Sequence, residues 1–286
     1  MNNVPFRRWS GRLAGSLAAL ALVAGFTAAP ASAGRTARTA PVYIALGDSY
    51  AAGTGGGAYI APPAGLPAGC LQTAAAYPVV RGAALNLGCF GATTEDVIKV
   101  AGLYESGLAT ASAITVTVGG NDVDTGQVAV ACTASPSSAA CSSALYNSRE
   151  VKMRELPAKI KAMVKTIKDK APNARIVLTG YPRLFTVSAG LTAEQALAAK
   201  SMNSAADLLN DTIAYSARAN RVGYVSVTER FARHGIGSAD PWIVAPTGLC
   251  KDAVNCSPSR PADAFHPTAA GYAKGYAKAL KAVRLS

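Results

Sequence analysis

Histidine is nearly absent from this chain: among 286 residues only His234 and His266 occur. Chemistry that needs a base at neutral pH must therefore use one of these imidazoles or a carboxylate. The six cysteines form no Cys-x-x-Cys pair, which, with so few histidines, excludes the usual Cys/His zinc arrays. Charged residues are thin at 15% against 50% hydrophobic, a balance that excludes a disordered tail and supplies a sizeable core. No Gly-Lys-Ser/Thr follows the glycine-rich run at 53–57, so that run reads as a permissive loop and not a phosphate cradle. Nor does any Gly-x-Ser-x-Gly elbow occur, which sets aside the α/β-hydrolase arrangement of a serine nucleophile.

What is present begins with an export signal. Arg7, Arg8 and Arg12 precede an uncharged run at 13–26, and Ala31-Ser32-Ala33 supplies a small-residue cleavage site. The run has 14 residues, short of the ~20 that a spanning helix needs. Residues 1–33 are thus expected to be a signal peptide, 34–40 a flexible leader and 41–286 one domain, secreted to the extracellular space. Cleavage would remove three of the 28 basic residues and none of the 16 acidic ones, taking the net charge from +12 to +9. In an oxidising compartment six cysteines suggest disulfides, and the spacing favours sequence neighbours: Cys70–Cys89, Cys132–Cys141 and Cys250–Cys256.

Short apolar runs at 42–46, 83–87, 114–118, 176–179 and 222–227 read as strands. Helical periodicity covers 149–170, with Leu156, Ile160, Met163, Val164 and Ile167 on one face, and continues at 192–219 and 268–283. Continuous apolar strands between helices predict an α/β domain with a parallel sheet covered on both faces. The stretches 53–76, 123–148 and 238–267 are expected to be loops. In such sheets ligands bind beyond the carboxyl ends of the strands.

Those strand ends carry the polar residues. The first leads into Gly47-Asp48-Ser49-Tyr50, the second into Gly88-Cys89-Phe90-Gly91-Ala92-Thr93-Thr94 and the third into Gly119-Gly120-Asn121-Asp122; Asp263-Ala264-Phe265-His266 follows near the C-terminus. A serine hydroxyl needs a base to become a nucleophile, and His266 has an acid three residues before it to orient it. Ser49 is the expected nucleophile, His266 the base and Asp263 the orienting acid. The Ser49 and Gly91 backbone N–H groups and the Asn121 amide are the candidate donors for the oxyanion.

These four blocks, in this order, resemble the SGNH (GDSL-type) hydrolases, and the forms Gly-Ala-Thr-Thr and Gly-Gly-Asn-Asp are most similar to the secreted actinobacterial lipase and esterase branch. The resemblance spans nearly all of 41–286. It implies a flavodoxin-like three-layer α/β/α sandwich with a five-stranded, mainly parallel sheet, a shallow groove, no metal or cofactor, and ester hydrolysis through an acyl-enzyme. Some relatives replace the acid by a backbone carbonyl; because Asp263 is kept here, a triad is expected. Phe90 departs from the small polar residue usual before the glycine.

Tyr50, Phe90 and Trp242 are candidates for the substrate groove. His234, without an acid partner in sequence, reads as loop packing, and Lys159, Lys161, Lys165, Lys168 and Lys170 as a solvated helix face. No nucleic-acid motif accompanies the basic charge, which suits solubility or an anionic lipid interface instead. The expected protein is a monomeric lipase or esterase acting on fatty-acid esters. The alternatives are a phospholipase A-type or acetyl/carbohydrate esterase, or a catalytically silent binding domain.

Overall fold

The alternation of apolar strands with helices builds, in the computed structural model, a five-stranded sheet of order β4-β1-β5-β6-β7, all parallel. The structure describes residues 41–188, 190–246 and 260–285. The signal segment, the leader and the Cys250–Cys256 pair lie outside the described residues. The sheet strands are β1 (Tyr43–Gly47), β4 (Leu85–Gly88), β5 (Ala113–Thr117), β6 (Arg175–Thr179) and β7 (Gly223–Val225); β2 (Tyr59–Ile60) and β3 (Gln72–Thr73) form a separate antiparallel hairpin. Each of the five predicted runs becomes a sheet strand.

Alternating side chains on a strand face opposite sides of a sheet. In β1, Tyr43 and Ala45 enter one apolar cluster with Tyr77, Phe231, Tyr272 and Tyr276, while Ile44 and Leu46 enter a second with Leu156, Ile160 and Met163. Helices cover both faces, which explains why the buried strands are largely apolar, with Asn86, Thr115, Thr117 and Thr179 as their buried polar residues. The Met153–Lys170 helix seats its predicted stripe in the second cluster and turns its lysines outward, two of them paired with Glu155 and Asp169. The Ala193–Ala219 helix starts at a capping box between Thr192 and Gln195. Its Leu197 is 67% exposed.

Four expected elements differ. The 123–148 stretch is mostly helical, as Thr125–Ala134 and Ala139–Tyr146 joined by the Cys132–Cys141 disulfide. Their apolar residues are spread around the helix instead of striped, so no helical period marked them. The 149–170 helix opens with a wide π turn at Asn147–Lys152. The C-terminal segment contains a π turn at Gly271–Tyr276 followed by short helical turns, and within it a Cβ at Gly271 or Gly275 would collide with the Trp242 carbonyl or the Phe231 ring. Within 53–76, the β2–β3 hairpin replaces part of the expected loop.

The strand order reverses beside β1. The carboxyl ends of β4, β1 and β5 are therefore neighbours, and the crevice of an open α/β sheet lies there.

Candidate active site

Gly47 ends β1 at φ +134°, and a Cβ there would stand 2.1 Å from the Thr117 carbonyl oxygen. Only glycine allows the two strand ends to approach this closely. Asp48 N–H donates to that carbonyl at 2.8 Å, and the Asp48 carboxylate caps the following turn, accepting from Tyr50 N–H at 2.9 Å. Ser49 is the first residue of that turn. Its Oγ lies 2.7 Å from His266 Nε2, across 217 residues of sequence.

The other imidazole nitrogen, Nδ1, lies 3.0 Å from the Ala264 carbonyl oxygen. A carbonyl only accepts, so Nδ1 carries the proton and Nε2 is free to accept from Ser49. Burial among the Tyr50 and Phe90 rings, centred 5.2 and 5.7 Å away, lowers the His266 pKa to about 4, against the opposing pull of the Ala264 carbonyl and the Asp263 charge. The ring is therefore neutral at pH 7.

The contact expected between Asp263 and His266 does not form. The Asp263 carboxylate, 1% exposed, accepts from Tyr59 Oη at 2.5 Å and Gly55 N–H at 3.2 Å, and pairs with Arg260 Nε at 3.0 Å. The 3₁₀ turn Pro261–Asp263 directs this side chain away from the imidazole and leaves the Ala264 carbonyl facing it. Asp263 thereby ties the histidine loop to the glycine-rich loop after the nucleophile. At Gly55, φ +86°, a Cβ would come within 2.9 Å of the His266 Cβ, so the two loops meet only because that residue is glycine.

The predicted oxyanion donors converge. Ser49, Gly91 and Asn121 all line one groove of about 300 Å³ with His266. Among the described residues, nothing accepts from the Ser49 or Gly91 N–H, while one Asn121 Nδ2 proton goes to the Ala92 carbonyl at 2.9 Å. Asp122 locks the two blocks together, accepting from Thr94 N–H at 3.0 Å and Thr94 Oγ1 at 2.6 Å. Tyr181, just beyond β6, donates to the Asp48 carboxylate and accepts from Gly120 N–H at 3.2 Å, linking the nucleophile block to the asparagine block. Burial raises the Asp48 pKa to about 7, and the Tyr181 hydrogen bond works against that rise.

Tyr50 and Phe90 line the groove, and Tyr50 also supports the histidine loop by donating to the Phe265 carbonyl at 2.7 Å. Trp242 does not line it. Its ring stacks on His234 at 3.6 Å and its Nε1 donates to Asp240. Its segment bridges to the histidine loop instead: Val244 N–H donates to the His266 carbonyl and Thr268 N–H to that of Trp242, both at 2.8 Å. His234 does have an acid neighbour, Asp240, with Nδ1 3.3 Å from its carboxylate and 2.8 Å from its carbonyl oxygen. The pair lies in the loop before Trp242, away from the groove. Ala264, Tyr59, Arg260 and Tyr181 were missed by sequence reasoning. The first acts through its backbone, which no side chain announces, and the others act through contacts far apart in sequence.

The chain matches the GDSL-like lipase/acylhydrolase family over residues 45–274. It is 31% identical to Lipase 1 of Streptomyces coelicolor over 281 residues, covering 94% of this chain and 97% of that protein. Among solved structures, the extracellular lipase of Streptomyces rimosus superposes with a TM-score of 0.72 at 27% identity, covering 85% of this chain and 99% of that one. Phospholipase A1 of Streptomyces albidoflavus gives 0.70 at 31% identity, with the same coverages.

Proposed function

This chain belongs to the GDSL-like lipase/acylhydrolase family and is a carboxylic ester hydrolase, and we propose that it is a secreted enzyme cleaving fatty-acid esters with a Ser49–His266 pair oriented by the Ala264 carbonyl. The observation that carries this reading is the 2.7 Å contact between Ser49 Oγ and His266 Nε2 in a groove also lined by Gly91 and Asn121.

In the first half-reaction Ser49 Oγ forms a bond to the ester carbonyl carbon as its proton passes to His266 Nε2. The carbonyl π electrons move onto oxygen, which the Ser49 and Gly91 N–H groups and the Asn121 amide hold. The imidazolium formed is stabilised at Nδ1 by the Ala264 carbonyl. Collapse of the adduct breaks the bond to the alcohol oxygen, which takes the proton from Nε2 and leaves. Water, deprotonated by the same nitrogen, then attacks the acyl-enzyme and returns Ser49 and a carboxylic acid. In this reading Asp263 is a positioning residue that anchors the histidine loop.

Secretion is supported by the basic and apolar segment at 7–33 and by two local disulfides, which suit an oxidising compartment. No helix among the described residues is long and apolar enough to cross a membrane. A phospholipase A-type activity is a second reading, favoured by the likeness to the Streptomyces albidoflavus phospholipase A1 and by the net charge of +9 left after cleavage of residues 1–33, which suits anionic lipid.

Ser49→Ala should abolish turnover of p-nitrophenyl butyrate and labelling by a fluorophosphonate probe while leaving the thermal transition in place. Undiminished turnover would overturn the assignment. Parallel assays on triacylglycerol and phosphatidylglycerol dispersions separate the two readings.

A further inference from the structure

A second cavity adjoins the groove across Phe90. It has a volume of about 380 Å³, and Phe90, Gly91 and Ala92 belong to both it and the catalytic surroundings, Phe90 and Gly91 lining each directly. That size lies within the roughly 300–1,000 Å³ of small-molecule sites. Its lining is largely apolar, with Leu66, Leu87, Val97, Val100 and Leu103 besides Phe90, and Asp96 and Lys99 as its charged lining residues.

Both walls are fixed. One is the Thr94–Leu103 helix, started by a capping box between Thr93 and Asp96. The other is the 64–67 segment, held at one end by Tyr104 Oη donating to the Ala64 carbonyl. Toward the other end the Cys70–Cys89 disulfide joins it to the Phe90 turn, where Phe90 N–H also donates to the Cys70 carbonyl at 3.0 Å. The cavity is thus preorganised, and exposed apolar side chains stand at its borders, Phe90 at 38% and Leu103 at 61% exposure.

The direction of the reaction says which part of a substrate reaches it, and this step rests on the Ser49–His266 reading. His266 must hand its proton to the alcohol oxygen, so the alcohol portion is the part that runs beside the imidazole. The Phe90 ring flanks that imidazole at 5.7 Å. The carbonyl oxygen is held at Gly91 and Asn121, and the acyl chain is left the remainder of the groove toward Val130 and Leu184. We propose that the cavity bordered by Phe90, Val97, Val100 and Leu103 binds an apolar leaving-alcohol moiety, so that the substrates are esters of alcohols that themselves carry a hydrocarbon chain, as a glyceride with a further acyl chain does.

The test is a series of butyrate esters whose alcohol lengthens from ethyl to decyl, kept below their aggregation limits and followed by acid release. The wild-type kcat/KM should rise about tenfold or more along the series, the size of effect a few methylenes make in an apolar pocket. Val100→Trp, which fills the cavity, should bring the decyl-to-ethyl ratio to within about twofold of one. Leu103→Asp, at an exposed position and so tolerated even if Val100→Trp fails to fold, should lower the ratio about threefold or more. A flat wild-type series, or a ratio unchanged in the folded variants, overturns the proposal. So does a Val100→Trp protein that loses its preference along ethyl acetate to ethyl decanoate instead, since the cavity would then hold the acyl chain. Failure of the underlying reading is distinct: it shows as no ethyl butyrate turnover and no fluorophosphonate label on Ser49.

Discussion

The two halves of the site are held in place by different means. Ser49, Gly91 and Asn121 follow the ends of β1, β4 and β5, and side chains cross-link them: Asp48 to Tyr181, Tyr181 to Gly120, Asp122 to Thr94. His266 stands on a loop. That loop is held by backbone bonds to the Trp242–Val244 segment, by Tyr50 and by the buried Asp263. The Ser49 side thus inherits its geometry from the sheet, while His266, the proposed base, depends on a few tethers, and substitutions should act differently on the two sides.

The largest effect tests the sheet-built side. Asn121→Ala removes one proposed oxyanion donor and should lower kcat by roughly 10²–10³, with KM little changed, as loss of one such donor usually does. A loss in KM alone would show that Asn121 binds ground-state substrate and is not specific to the transition state.

Asp263→Asn sharpens the contrast with the loop side. An acid orienting the imidazole of a triad costs about 10⁴ in kcat when made an amide. Here the Ala264 carbonyl does the orienting, so kcat should fall only about tenfold, while chemical denaturation should show a loss of about 2 kcal/mol from the weakened ties to Arg260 and Tyr59. A 10⁴-fold fall without loss of stability would restore the triad.

Tyr181→Phe keeps the ring and removes the link between the two strand-end blocks. Its kcat should fall about tenfold with KM within about twofold, because misplaced donors weaken the transition state more than binding. An equal change in both constants would reduce Tyr181 to a packing role.

The smallest effects are in pH dependence. With the His266 pKa lowered to about 4, the acid limb of kcat/KM should lie well below the ordinary 6.5 of histidine. Folding stability carries opposite signatures. Asp48, raised to about 7, keeps its proton longer in the folded state, so its contribution is lost as pH rises from its ordinary 3.8 through 7. His266 binds its proton less readily when folded, so its contribution is present above 6.5 and lost as pH falls toward 4. Between pH 4 and 6.5 the two offset each other. Asp48→Asn should leave a denaturation midpoint that climbs with pH across that window, and an unchanged pH profile would show that Asp48 is not the group titrating.

Much of the strand side was legible in the sequence, because its residues sit in contiguous blocks at the ends of apolar runs. Gly47-Asp48-Ser49 and Gly120-Asn121-Asp122 each carry a turn and a functional group within a few positions. The loop side was read less well. Asp263 at three residues before His266 suggested a helical turn that would bring them together, yet the carboxylate is satisfied by Gly55, Tyr59 and Arg260. Trp242 likewise left the groove for a stack with His234. A buried carboxylate takes the partners that best compensate its desolvation, and those are chosen by which segments the fold brings near.

The strand pattern, the parallel two-faced sheet, the disulfides Cys70–Cys89 and Cys132–Cys141, and the candidates for nucleophile, base and oxyanion donors could be read from the sequence alone. These follow from local properties: the period of apolar residues, glycine at sharp ends and the chemistry of each side chain. Only the tertiary structure decided which oxygen orients His266, what Asp263 holds, and that a second apolar cavity opens beyond Phe90. Those are contacts between segments up to 208 residues apart, or between a side chain and a backbone carbonyl that every residue possesses, and a linear pattern has no means to record them.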